Sequence, residues 1–210
     1  MNRTVTSFFD KEYLEYAKYV VENRAIPSCI DGLKPTQRKV VYIANKIWKT
    51  GNEKPMKLFQ LAGRVAAEAF YHHGNTSLES SMVGMAQKFK NSLPLLEGIG
   101  QFGSLRSPAA GAPRYISAKL HPNFRLLYQD FELLGNKIEE GEKIEPEYFL
   151  PIVPTVILNG TSGIAVGFAT NILNRNPMDV VNACIAEVNG RRMKTLTPWV
   201  KEFRGTFTRD

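Results

Sequence analysis

The chain has 210 residues, of which 43% are hydrophobic and 10% aromatic, enough apolar material to bury a core and too much for a disordered chain. Its 27 Lys and Arg against 20 Asp and Glu leave a net charge of +7, which favours a polyanionic partner. There is no run of about 18 apolar residues to span a bilayer and no apolar stretch of a signal peptide at the N-terminus, so no membrane partner and a cytoplasmic location are expected.

In chain order, Leu14, Ala17 and Val21, with Tyr13, Tyr16 and Val20, recur at helical spacing and predict a helix from Phe9 to Arg24, ended by Pro27. Asp31-Gly32 reads as a turn, and Pro35 stands where the first turn of a helix tolerates it. In that second helix Val40, Ile43, Ala44 and Ile47 make an inward stripe, whereas Lys39, Tyr42, Lys46 and Lys49 make a solvated one. Gly51 to Pro55 breaks the pattern, and a third helix follows with Leu58, Leu61, Ala62, Val65 and Ala69 inward. A fourth, capped by Asn75 or Thr76, turns Leu78, Met82, Met85 and Phe89 to the core. Its other face carries Thr76, Ser80 and Gly84, small enough for a phosphate backbone to come close.

Gly98, Gly100, Gly103, Pro108, Gly111 and Pro113 make the next stretch too broken for a helix, and it reads as a wing or hairpin with a long loop. Helix, turn, helix and wing together predict a winged helix. After Glu145, Pro146, Pro151 and Pro154 alternate with short apolar runs such as Thr155-Val156-Ile157-Leu158, the mark of a second, mixed β-rich region. The expected class is α+β: a helical arm over 1–25, a winged-helix domain (helix-turn-helix with a β wing) over 26–128, and the start of a mixed α/β domain over 129–210.

Between Leu33 and Ala67 eight basic side chains (Lys34, Arg38, Lys39, Lys46, Lys49, Lys54, Lys57, Arg64) face one acid, Glu53. A basic helix is often only a solvated face, but here the cluster coincides with the helix-turn-helix pattern. That coincidence favours phosphate neutralisation and salt-dependent, largely sequence-independent DNA binding.

A phosphodiester can be cut and later resealed if a nucleophile forms a reversible ester and positive charge faces the transition state. A tyrosine phenol conserves the bond energy as an aryl phosphate, and Arg114 beside Tyr115 is a permanent cation that can bind the phosphate. On its own the dipeptide is as readily a packing tyrosine next to a surface arginine. His72 and His73 precede the fourth helix and can bind phosphate or move a proton. The acid-rich stretch Glu139, Glu140, Glu142, Glu145 and Glu147 reads as a solvated loop rather than a metal site, so no metal ligand is assigned. Cys29 and Cys184 suggest neither a disulfide framework nor a zinc site.

Six ordered stretches resemble the A-type, DNA-cleaving subunit of type IIA topoisomerases: Arg24-Ala-Ile-Pro27, Asp31-Gly-Leu-Lys-Pro-Thr-Gln-Arg38, Tyr71-His-His-Gly74, Gly98-Ile-Gly-Gln-Phe-Gly-Ser104, Pro113-Arg-Tyr115 and Pro154-Thr-Val-Ile-Leu-Asn-Gly-Thr-Ser-Gly-Ile164. Within the family the look is nearest to the multi-subunit enzymes of large tailed phages. The resemblance implies that Tyr115 is the nucleophile, with Arg114, Arg24 and His73 acting around the scissile phosphate. It implies DNA contacts by Lys34, Arg38 and Lys39, a loop supporting the tyrosine at Gln101, and Ile164 as a wedge between base pairs. It makes residues 129–210 part of the family's tower domain, with the chain stopping inside that domain. It further implies a homodimer on double-stranded DNA, with Mg2+ and ATP bound by TOPRIM and ATPase partner chains. The alternative is a module that holds and bends DNA without cutting it.

Overall fold

Three amphipathic helices, each burying the stripe its sequence spacing marks out, build the centre of the molecule. The computed structural model describes residues 5, 9–50, 54–193 and 195–208; Glu53 and residues 51–53 of the expected break lie outside them. Ahead of the centre, Phe9–Tyr13, Leu14–Val20 (α1) and Val21–Ala25 form a continuous helical arm, wider than α-helical at both ends. Its apolar spacing finds no core: Ala25 is the one buried residue of these three segments.

Helix α2 (Pro35–Ile47) starts on Pro35, and the Gln37 side chain accepts the Lys34 N–H at 2.9 Å, satisfying a donor the helix leaves open. It buries Val40, Val41, Ile43 and Ala44 against α3 (Leu58–Glu68), which buries Leu58, Leu61, Ala62 and Val65. Helix α4 (Asn75–Ala86) adds Leu78, Met82 and Met85. Full burial of such a side chain is worth ~1.5–3 kcal/mol, so these stripes are the main source of stability. The expected cap on α4 is corrected: Gly74 occupies that place without a side-chain hydrogen bond, Asn75 is already helical, and Phe89 falls beyond the last turn.

The predicted wing is present. Strands β1 (Met56–Lys57), β2 (Leu96–Ile99) and β3 (Ser117–Leu120) form an antiparallel sheet in the order β1-β3-β2. Ala118 and Leu120 of β3 point into the helices. The turn of helix α5 (Asn123–Leu127) then carries Phe124 and Tyr128 onto Phe149, with ring centroids 5.5 and 5.6 Å apart, joining the winged helix to the following segment.

Two expectations for that segment change. The acid-rich stretch is a hairpin, β4 (Asn136–Glu139) and β5 (Glu142–Pro146), folded over α2. Glu145 is fully buried between Lys39 at 3.2 Å and Lys137 at 3.5 Å, because a carboxylate out of water requires cations beside it. The hairpin therefore covers the Lys39 and Tyr42 part of the stripe expected to face water, and burial, with Glu145 nearby, pushes the Tyr42 hydroxyl above its ordinary pKa. The run Thr155-Val156-Ile157-Leu158 forms a single helical turn, α6 (Thr155–Leu158), entered from Pro154. A second hairpin, β6 (Thr161–Ile164) and β7 (Ala169–Ile172), and helix α7 (Pro177–Val188), capped by the Asn176 side chain, are the last named elements, and the segment beyond them returns to bridge Pro198 to Arg175.

Candidate active site and nucleic-acid interface

Tyr115 lies on the long loop between β2 and β3 and is 73% exposed. The loop is braced from three directions. Its own turns bond Tyr115 N–H to the Ala112 carbonyl at 2.9 Å and Gly111 N–H to the Gln101 carbonyl at 2.8 Å. From below, the buried Gln87 amide donates to the carbonyls of Phe102 at 2.8 Å and Pro108 at 2.9 Å. From the side, the first amides of α3 donate to the loop, Leu58 N–H to Ile116 at 3.1 Å and Phe59 N–H to Pro113 at 3.4 Å. Lys57 adds its ammonium to the Tyr115 carbonyl at 3.0 Å. Arg114 places its guanidinium 5.4 Å from the Tyr115 ring centroid, so a permanent cation accompanies the phenol. The Gln101 side chain is exposed, while its backbone holds the loop.

Arg24, Lys34 and Ile164 meet elsewhere: with Ser80 and Gly84 of α4 they line one cleft of about 740 Å³. Tyr115, Arg114, His73 and Gln101 do not line it. Half-burial at this cleft lowers the Lys34 pKa from its ordinary value, a desolvation that a bound phosphate would offset. Ile164, at the end of β6, is 86% exposed, far more than a strand residue placed for packing.

The cleft walls are joined by the buried carboxylate of Asp31. It accepts Arg38 Nε at 2.8 Å, Leu33 N–H at 2.9 Å and Phe149 N–H at 3.0 Å, while its own carbonyl accepts the Thr155 hydroxyl at 2.7 Å. Gly32, at φ +68°, sits so close to Val156 that a Cβ would lie 2.9 Å from that residue's backbone. Gly163 likewise packs against the Ala25 carbonyl with no room for a side chain. The hairpin bearing Ile164 is thereby pressed directly onto the segment that carries Arg24.

Two expected DNA contacts are turned inward. Arg38 is 4% exposed and occupied by Asp31 and the Leu33 carbonyl. Lys39 is bound by Glu139, Glu145 and the Ala69 carbonyl. The histidine pair also divides: His72 faces Glu139 at 3.2 Å, whereas His73 is exposed with its ring edge on Tyr71, centroids 5.3 Å apart. Among the described residues no three His, Cys, Asp or Glu are grouped to hold a metal ion, and no helix is long and apolar enough to cross a membrane. Gln87 has no local signal in the sequence, Lys57 reads there only as one of a basic cluster and Asp31 only as a turn residue within a motif; the bonds of Lys57 to Tyr115, Gln87 to Phe102 and Pro108, and Asp31 to Phe149 come from residues apart in the chain.

Comparison with known proteins gives a consistent result. The family model for the A-type subunit of DNA gyrase/topoisomerase IV matches residues 24–210. The chain is 43% identical over 204 residues to the DNA topoisomerase medium subunit of Enterobacteria phage T4, covering 97% of this chain and 46% of that protein. It is 42% identical over 215 residues to the mitochondrial DNA topoisomerase 2 of Dictyostelium discoideum, covering 99% of this chain and 16% of that one. Among solved structures, the DNA-binding, cleavage and re-ligation domain of Plasmodium falciparum topoisomerase II superposes with a TM-score of 0.84 at 37% identity, over 95% of this chain and 28% of that one. The chain thus spans about half the length of the phage protein and a smaller share of the other two relatives.

Proposed function

The chain belongs to the A-type family of DNA gyrase and topoisomerase IV, and from that premise we propose that it is the cleavage and religation part of an ATP-dependent type II DNA topoisomerase. In this reading Tyr115 attacks a DNA phosphate, the displaced sugar hydroxyl leaves, and reversal of the same step reseals the strand. The observation that carries it is an exposed phenol on a loop braced from three directions beside a permanent cation. Arg114, Arg24 and His73 serve the scissile phosphate. Lys34, Gln101 and Ile164 face DNA, and Arg38 and Lys39 support that face from behind. Residues 1–25 act as an arm, 26–128 as the winged-helix cleavage domain and 129–210 as part of the tower.

The substrate is double-stranded DNA, cut by two copies of the chain, one strand each, in the cytoplasm. Mg2+ and ATP are bound by TOPRIM and ATPase partner chains; the described residues flanking Tyr115 offer no carboxylate cluster to hold a divalent cation.

The decisive experiment incubates the chain with supercoiled plasmid, Mg2+ and a TOPRIM-containing partner, stops the reaction with detergent and protease, and scores linear and nicked DNA. Protein-linked breaks are expected, and Tyr115→Phe is expected to abolish them. Salt-sensitive binding without breaks, in the presence of a partner proven competent, would leave the DNA-bending module as the function.

A further inference from the structure

Lys57 is the last residue of β1, paired with Ser117 two residues beyond the tyrosine. Its exposed side chain turns back along the sheet and donates to the Tyr115 carbonyl at 3.0 Å. No carboxylate among the described residues pairs with this ammonium. The next two residues, Leu58 and Phe59, give their amides to Ile116 and Pro113. Three consecutive residues thus hold three carbonyls of the four-residue segment Pro113–Ile116. The two amide bonds satisfy donors that any helix start leaves open. The lysine bond does not: an exposed ammonium is fully hydrated without it, so its occurrence on the nucleophile's own carbonyl is not required by the fold.

We propose that Lys57 is a positioning residue for cleavage, fixing the backbone of Tyr115 so that the phenol oxygen is held in line for attack. The proposal rests on Tyr115 being the nucleophile. The loop from Gly100 to Ile116 is long and carries three glycines; among the described residues Gln87, the α3 start and the burial of Phe102 and Ile116 also hold it, but none of these takes the Tyr115 carbonyl. An error of about 1 Å in a reacting group can cost on the order of 100-fold in rate. A charge-assisted bond at the carbonyl adjoining the side chain is the shortest available route to limit that error. Because Lys57 acts through the backbone, its loss should slow cleavage without weakening the grip on DNA.

The test uses the full chain with its TOPRIM-containing partner, comparing Lys57→Met and Lys57→Arg with the unaltered protein. Covalent complex formation is timed at saturating DNA, and DNA affinity is measured across a salt series in the absence of Mg2+. Lys57→Met is expected to slow covalent complex formation about 10-fold or more, with DNA affinity and its salt slope unchanged, while Lys57→Arg recovers most of the rate. Unchanged cleavage by Lys57→Met would overturn the proposal. So would a defect confined to affinity with a salt slope reduced by ~0.9, which would make Lys57 a phosphate contact instead. Tyr115→Phe run alongside separates the two readings, since protein-linked breaks persisting in that variant would refute the nucleophile assignment, whatever Lys57 does.

Discussion

At Asp31 and Arg38 two charges are taken out of water together, with side chains 0% and 5% exposed and 2.8 Å apart. Removing one partner of such a pair leaves an uncompensated buried charge, which typically costs ~3–5 kcal/mol. Asp31→Ala should therefore lower the urea midpoint strongly, and retention of the midpoint would show that the pair is not buried in solution. The same geometry separates the cations of α2. Lys34 opens onto the cleft, whereas Lys39 is neutralised by Glu139 and Glu145. Since each phosphate neutralised adds ~0.9 to the slope of log affinity against log salt, Lys34→Ala should reduce that slope by about this amount and Lys39→Met should leave it unchanged. Equal slope losses in both variants would mean that the β4–β5 hairpin releases Lys39 when DNA binds.

Short elements here depend on single polar groups. The start of α5 is fastened by His121, whose Nδ1 accepts the Asn123 N–H at 3.1 Å. Burial lowers the His121 pKa from its ordinary value; the Glu97 carboxylate opposes this, Lys88 and Lys119 lower it further, and the Asn123 side chain, as distinct from its backbone N–H, raises it slightly. The unfolded chain therefore binds the proton more readily than the folded one. Stability from this residue is complete above the ordinary histidine pKa of about 6.5 and declines as pH falls toward the depressed value. Urea midpoints at about pH 7.5 and about pH 5.5 should differ in the unaltered protein, and His121→Asn, which keeps an acceptor without the titration, should narrow the difference. An identical pH dependence in both would assign the effect to other groups. The β4–β5 hairpin illustrates the same dependence: Glu139 and Glu145 look solvated in isolation, yet they are the counter-ions of Lys39 on α2, while Glu140 and Glu142 do face solvent.

Across the whole molecule, Gly163 packs the β6–β7 hairpin against Ala25, beside Arg24, and Gly32 packs the turn before α2 against Val156 of α6, both with no room for a side chain. If Ile164 intercalates, its loss should reduce bending more than binding, because smooth bending of a short duplex costs only ~1–6 kcal/mol and contacts elsewhere remain. On an end-labelled duplex, Ile164→Ala should lower energy transfer between the ends at saturating protein, with affinity within about 10-fold of the original. Undiminished transfer would leave Ile164 as an ordinary exposed side chain.

The helices α2, α3 and α4 were legible in the residues because helical burial repeats every few positions and needs no knowledge of the rest of the chain. Glycines and prolines announced the wing in the same local way, and the motifs around Arg24, His73, Tyr115 and Ile164 identified the family because each is a contiguous string. Which of the cations are already paired within the protein was not legible. Arg38 and Lys39 look like DNA contacts from their helix, and only the fold sets Asp31, Glu139 and Glu145 against them. Glu145 lies 106 residues from Lys39, and Tyr115 lies 58 from Lys57. Periodicity is a property of neighbours along the chain; the pairing of a charge is decided by neighbours in space, because desolvation makes each buried ion take whichever counter-charge packing brings within reach.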